Sequence, residues 1–344
     1  MLMRLDRLLT LYFFHPLSGI LGSSDGTRIS ILMYHGISER DENVPHPYYV
    51  TNTRPEVFAR QMQFLADNNY KVISLSKAVD LISGQSPSGS SPVTDAKYPT
   101  LTTSHETLNT GISSLATRHK AQATKAPRYA VITFDDGHRD YHDVAWPILK
   151  KHNFPATMYL PTGLVSDDRK ILEGRECMTW QEVVALAGEG AEFGAHTVSH
   201  VQLYELCETV SQQPNLPSPH SQESTKDWTA IEYELRASKQ AIEEKLVRPV
   251  DHYSYAFAFP EHDQDFVGKY ETSLRNAGYR SAVSTRIGTA KQGDSLYTLK
   301  RLPMNSLDDM PLLRAKLEGA YDWMHALQFA SKSLKSKRKA SCQS

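Results

Sequence analysis

The stretch Tyr129-Ala130-Val131-Ile132-Thr133-Phe134-Asp135-Asp136-Gly137 restricts the possible folds more than any other part of the chain. Its opening residues form an apolar run rich in β-branched side chains. Such a run needs cover on both faces, which is the condition of a strand inside a parallel sheet. The run ends abruptly in two carboxylates and a glycine. In α/β sheets ligands gather at the carboxyl ends of strands, so a core strand that delivers two acids there marks an edge for chemistry. Gly137 permits a sharp turn and a close approach of substrate to backbone. Taken alone, Asp-Asp-Gly is also an ordinary turn in which Asp136 caps a following helix.

Sixty residues further on, Ala191-Glu192-Phe193-Gly194-Ala195-His196-Thr197-Val198-Ser199-His200 supplies a second short apolar segment, closing on two histidines four positions apart. If the chain turns helical there, both rings share one face within reach of a single ion. Spacing alone proves little, because fourteen histidines in 344 residues give about 0.6 such pairs by chance. A rival pair exists at His138 and His142, where a helix is expected to start after Gly137. His196 and His200 are preferred because their segment ends a strand, as the aspartate segment does. The two motifs can then face each other across one rim, whereas helix positions like the rival pair are more often solvated.

Thr133-Phe134-Asp135-Asp136-Gly137 followed by His196-Thr197-Val198-Ser199-His200 resembles the first two motifs of the polysaccharide deacetylases, the NodB-like enzymes of carbohydrate esterase family 4. The similarity runs from about Ile31 to Asn305 and includes Asp143 to Leu149, Phe154 to Leu160 and Ala277 to Ala282. It implies that Asp135 is the general base and that Asp136, His196 and His200 hold a divalent metal. Three protein ligands leave positions open for water and a substrate carbonyl, the mark of a catalytic rather than a structural site. One carboxylate and two imidazoles suit zinc first, and cobalt or nickel fit the same ligands. The segment ending Met33-Tyr34-His35-Gly36 resembles the circularly permuted poly-N-acetylglucosamine deacetylase subgroup. There an early histidine supplies the general acid, which makes His35 the expected acid here. Tyr253 to Pro260 resembles the family's Tyr-Pro-aromatic-Gly segment, but Glu261 and His262 replace the aromatic and the glycine. The backbone N–H of Glu261 is the expected oxyanion donor, the expected substrate platform is missing, and His262 competes with His35 as the acid. Arg301 is expected to hold Asp135 ionised through a charge-assisted hydrogen bond, with a surface salt bridge as the alternative.

Taken in order, the chain divides into an apolar leader at 1–27, a deacetylase domain at 28–318 and a basic tail at 319–344. Leu8 to Leu21 is too short and too interrupted to span a bilayer. It reads as an amphipathic leader packed on the domain or resting on a membrane surface. Pro55 to Asn68 has helical spacing and Lys71 to Leu75 reads as a strand. Ser- and Pro-rich stretches at 84–125 and 208–227 read as surface insertions. Ile231 to Leu246 reads as a wholly structural amphipathic helix. The closing run Lys332, Lys335, Lys337, Arg338 and Lys339 reads as a solvated tail, with attraction to anionic lipid as the alternative.

Strand centres fall at Ile29, Val72, Val131, Thr157, Glu192, Tyr255, Ala282 and Leu302, with helices between several of them. That alternation implies an α/β fold with parallel strands. The resemblance specifies a distorted (β/α) barrel of seven or eight largely parallel strands. With 38 basic and 39 acidic residues, no nucleic-acid partner is expected. Three scattered cysteines give no disulfide framework. The expected compartment is the cytoplasm or a membrane periphery, with export as the alternative. The expected function is metal-dependent hydrolysis of the N-acetyl group of a sugar in a poly- or oligosaccharide. The alternatives are a deacylase of a small or lipid-linked acylated sugar or another linear amide, and a non-catalytic carbohydrate-binding relative.

Overall fold

Each apolar run predicted to lie inside a parallel sheet finds that sheet closed on itself. The structure is a computed structural model that describes residues 4–20, 27–46, 49–84, 127–209 and 228–341. The expected insertions at 84–125 and 208–227 lie almost wholly outside these residues. Seven strands form the ring: β1 (Arg28–Tyr34), β2 (Arg128–Phe134), β3 (Thr157–Leu160), β4 (Glu192–Ala195), β5 (His252–Ser254), β6 (Ser281–Ile287) and β7 (Leu299–Pro303). All neighbouring strands pair in parallel, and closure comes from β1, which pairs with both β2 and β7.

The period of two along the strands separates two cores. Leu32, Tyr34, Ile132 and Phe134 belong to the larger cluster with Phe58, Met62 and Trp146. Ile29, Ile31 and Val131 belong to the smaller one with Tyr159, Val283 and Leu299. Both faces of β1 and β2 are therefore covered, which is why these strands are continuous apolar runs rather than alternating ones.

Of the eight expected strand centres, Tyr255 falls one residue past the end of β5, and Val72 lies in a strand left out of the ring. Tyr70–Val72 pairs only with Arg128–Ala130, while the other half of β2 pairs with β3 at Thr133 and Phe134. Leu75, expected to end that strand, instead opens the helix Leu75–Ser83, because the Ser74 hydroxyl caps it by accepting from the Lys77 N–H at 3.2 Å. The strand expected to run from Tyr253 to Phe259 stops at Ser254. The chain then turns through Phe257, whose φ is +62° and which cannot lie in a strand.

The leader is helical over most of Leu5–Ile20 and packs on the domain. Arg4 pairs with Asp308 at 3.1 Å and Arg7 with Asp309 at 2.6 Å. Phe14 stacks on Trp323 at 4.7 Å between ring centroids. The expected solvated tail is instead the helix Met324–Ser341. Its Lys332 ammonium is partly buried and donates to the Phe259 carbonyl at 3.0 Å, so this part of the run is drawn onto the barrel by a backbone acceptor. The side chains of Lys335, Lys337, Arg338 and Lys339 lie outside the described residues. No helix among the described residues is long and apolar enough to cross a membrane.

Candidate active site

The carboxyl ends of β2 and β4 bring together the residues that the two motifs carry. Asp136, His196 and His200 each offer one ligand atom, and these atoms lie within 4.8 Å of one another. Asp136 Oδ1 is 3.5 Å from His196 Nε2 and 3.1 Å from His200 Nε2. The two histidine rings stand 5.2 Å apart. A helix does not align them, as the spacing suggested. Residues 196–200 form a loop in which Thr197 and His200 have φ of +66° and +55°. Asp136 is also left-handed at +76°. Such conformations cost on the order of 1–3 kcal/mol each in a residue other than glycine, so the surrounding contacts must dictate them.

Those contacts come largely from Glu234, a buried acid on the helix Thr229–Leu246. Its Oε2 accepts from the Val198 N–H at 2.6 Å and the Ser199 N–H at 3.1 Å, and its Oε1 accepts from the Ser199 hydroxyl at 2.7 Å. The helix read as wholly structural therefore shapes the histidine loop. The signal was present in the sequence, since Glu234 sits on the apolar stripe with Ile231, Leu235 and Ile242. The Thr197 hydroxyl completes the loop by accepting from the His200 N–H at 2.8 Å.

The donor set fits a divalent ion. The Nδ1–H of His196 donates to the Ser254 carbonyl at 2.8 Å, which leaves Nε2 as the lone-pair nitrogen turned toward Asp136. Burial would raise the Asp136 carboxyl, but the facing rings of His138, His196 and His200 hold it well below the usual range. Burial would lower His196, yet Asp135 and Asp136 outweigh it and raise the imidazole above its ordinary value. One carboxylate oxygen and two imidazole nitrogens brought this close together form a donor set that a cation satisfies.

The rival pair does not converge. His142 is a third exposed and bonds to Asp143 at 2.7 Å. His138, expected to be solvated, is buried, with Nε2 3.5 Å from Asp136 Oδ2, the oxygen opposite His196 and His200. The helical run begins later than expected, as the π-helix Tyr141–Ala145 that continues into Trp146–Lys151, so His138 belongs to the rim loop.

Asp135 lies beside this cluster and is gripped from behind. Arg301, on β7 and fully buried, donates to both of its oxygens, at 2.8 and 2.7 Å. The Ser254 hydroxyl adds a bond at 3.2 Å. Arg301 is itself aimed by the Ser284 carbonyl, which accepts from Nε at 3.1 Å. Burial would raise Asp135, but Arg301, with His196 and His35, brings its carboxyl below the ordinary value. The pair is a buried bidentate one and not a surface salt bridge. His35, half-buried at the end of β1, feels both Asp136 and Asp135, yet burial dominates and lowers it below its ordinary value.

Glu261 is not placed as expected. Its N–H donates to the Phe259 carbonyl at 3.0 Å, so it is committed within the turn and not free for an oxyanion. Its carboxylate accepts from Arg286 at 2.8 Å and His325 at 2.6 Å. The ring of His262 meets Tyr204 at 6.0 Å, and no contact between His262 and the Asp-His-His cluster occurs among the described residues.

A closed parallel barrel with a buried, arginine-held carboxylate beside an Asp-His-His cluster at its carboxyl rim defines a (β/α)-barrel hydrolase. Residues 122–281 match the model of the polysaccharide deacetylase family. YxkH of Bacillus subtilis (strain 168), which carries the polysaccharide deacetylase name, is 23% identical over 299 residues, 86% of this chain and 76% of YxkH. The Streptococcus pyogenes deacetylase PplD, solved in complex with acetate, superposes with a TM-score of 0.54 at 20% identity, over 85% of this chain and 99% of that one. IcaB from Ammonifex degensii superposes with a TM-score of 0.55 at 17% identity, over 86% and 98%. By these likenesses the chain is similar to the NodB-like polysaccharide deacetylases of carbohydrate esterase family 4, a family of hydrolases acting on non-peptide carbon–nitrogen bonds.

Proposed function

We propose that this protein removes the N-acetyl group from a sugar unit of a poly- or oligosaccharide, releasing acetate and a free amine, with a divalent ion held by Asp136, His196 and His200. The observation that carries this reading is the meeting of those three ligand atoms next to a carboxylate, Asp135, that binds none of them and is held ionised. When bound, the ion supplies Lewis acidity toward an acetamide carbonyl and its attacking water, and zinc suits the donor set. Asp135 accepts the proton of the water, and Arg301 keeps it in the ionised form that can accept. His35 stands on the adjacent strand end and hands a proton to the departing amine. A non-catalytic carbohydrate-binding role gives no use to a buried Asp135–Arg301 pair at the rim.

Acetate release from acetylated glucosamine oligomers, before and after chelation, tests the reading. Asp135→Asn should lose at least about a hundredfold in kcat, the range of a general base. Full activity in that variant would overturn the base assignment. Contact with a membrane surface is a further part of the proposal. It is supported by the outward face of the leader, where Leu5, Leu9, Tyr12 and Phe13 are exposed while Arg4, Asp6 and Arg7 are paired inward. Co-flotation with anionic vesicles, lost on Tyr12→Asp/Phe13→Asp, tests it.

A further inference from the structure

Phe257 has two properties that the fold does not require of it. It is a bulky residue at φ +62°, a conformation costing on the order of 1–3 kcal/mol. It also leaves 45% of its surface exposed. A residue serving the core would bury its ring, and a residue serving only the turn would be glycine or asparagine. The strained conformation is nonetheless held from both sides. The Thr285 hydroxyl donates to the Phe257 carbonyl at 2.8 Å and accepts from the Phe259 N–H at 3.0 Å. Thr285 is tied in turn by Gln328, whose amide donates to its carbonyl at 2.8 Å.

This scaffold sets the Phe257 ring 4.8 Å from that of His200, tilted by 41°. His200 is itself left-handed, so two strained residues meet at the edge of the ligand cluster. The surroundings are carboxylates and imidazoles, and Phe257 adds one flat apolar face to them. A pyranose ring has the complementary surface: its hydroxyls point outward around the equator, while its axial C–H groups form an apolar face that packs on an aromatic ring. An acyl chain would need several apolar side chains in a row instead of one plane. Glu261, four residues on, offers no such plane, because its carboxylate is buried against Arg286 and His325.

We infer that Phe257 is the stacking platform for the sugar ring whose acetamido group reaches the Asp-His-His cluster, and that it sets preference for pyranosides. This rests on the deacetylase reading proposed above. The test uses the zinc-loaded enzyme and N-acetylglucosamine oligomers, with KM and kcat measured separately and oligomer affinity measured by titration calorimetry. Phe257→Leu keeps an apolar side chain without the plane, and Phe257→Gly releases the strain. Both should raise KM and Kd roughly tenfold, the upper range of an aromatic contact. Phe257→Tyr should restore them. Phe257→Gly should unfold at a urea concentration no lower than wild type, so its weaker binding does not come from a damaged fold. Wild-type KM and Kd in the Leu and Gly variants would overturn the platform. If the wild type binds oligomers and the Gly variant does not, the platform stands even where no acetate is released. That last result would overturn only the deacetylase reading. Wild-type protein that neither binds nor hydrolyses oligomers would overturn both.

Discussion

Arg301 governs the ionisation of the site. Its guanidinium and the Asp135 carboxylate are both excluded from water, so neither charge is tolerable without the other. Arg301→Met should leave Asp135 as an unpaired buried charge and destabilise the fold by about 3–5 kcal/mol. Adding Asp135→Asn should return a large part of that loss, because it removes the stranded charge. Urea unfolding of the two single variants and the double variant measures this coupling. A double variant as unstable as the sum of the single ones would show that the pair does not act as a unit. The reverse side of the same contact is chemical, since the arginine that keeps Asp135 ionised also makes it a weaker base.

Among the elements, the helix Thr229–Leu246 links fold to site. Its apolar stripe anchors it to the core, and Glu234 on that stripe receives the donors of the Val198–Ser199 turn. Glu234→Ala should free the loop that presents His200 and weaken zinc binding by roughly 10–100-fold, the scale of losing an outer support of a ligand. Competition with a chromogenic chelator reads the affinity directly, and unchanged affinity would confine Glu234 to a structural role. The far end of the same helix carries an opposite opportunity. Val247, the C-terminal cap, is left-handed at φ +53° and 89% exposed, a poor position for a β-branched residue. Val247→Gly should stabilise the protein by about 1 kcal/mol, visible as a higher urea midpoint.

Across the whole molecule, buried ionisable groups tie stability to pH. Burial pulls His252 down from an ordinary 6.5 to about 4, although hydrogen bonds with the Ser76 and Ser281 hydroxyls satisfy the neutral ring. The folded protein therefore declines a proton that the unfolded chain accepts between those two values. Stability is complete above pH 6.5 and falls as pH drops toward 4, by up to about 3 kcal/mol from this residue. Asp135 and Asp136, held below the ordinary carboxylate value, lose their contribution lower still. Urea midpoints should decline below pH 6.5, where His35 is lowered as well, and His252→Gln should remove part of the decline between 6.5 and 4. An unchanged slope in that variant would place the sensitivity elsewhere.

What could be read from residues alone was whatever has a short period or a local motif. The double-sided apolar runs of β1 and β2 announced a parallel sheet, because covering both faces of a strand leaves few other arrangements. The aspartate and histidine motifs were legible because each directly follows such a run. Their resemblance to one enzyme family supplied the pairing across sixty residues. Less was legible where long-range contacts choose between local options. Spacing suggested a helix for His196 and His200, but Glu234, thirty-four residues beyond His200, shapes the segment as a loop. Burial of His138, commitment of the Glu261 N–H within its own turn, and the exposure of Phe257 beside His200 were likewise invisible. Each depends on which backbone groups meet after the ring has closed. Hydrophobic periodicity determined that the chain builds a parallel sheet with acids at its rim, and the family resemblance specified the barrel; only the packed structure decided how that rim is furnished, because side-chain direction there is set by hydrogen bonds between segments far apart in the chain.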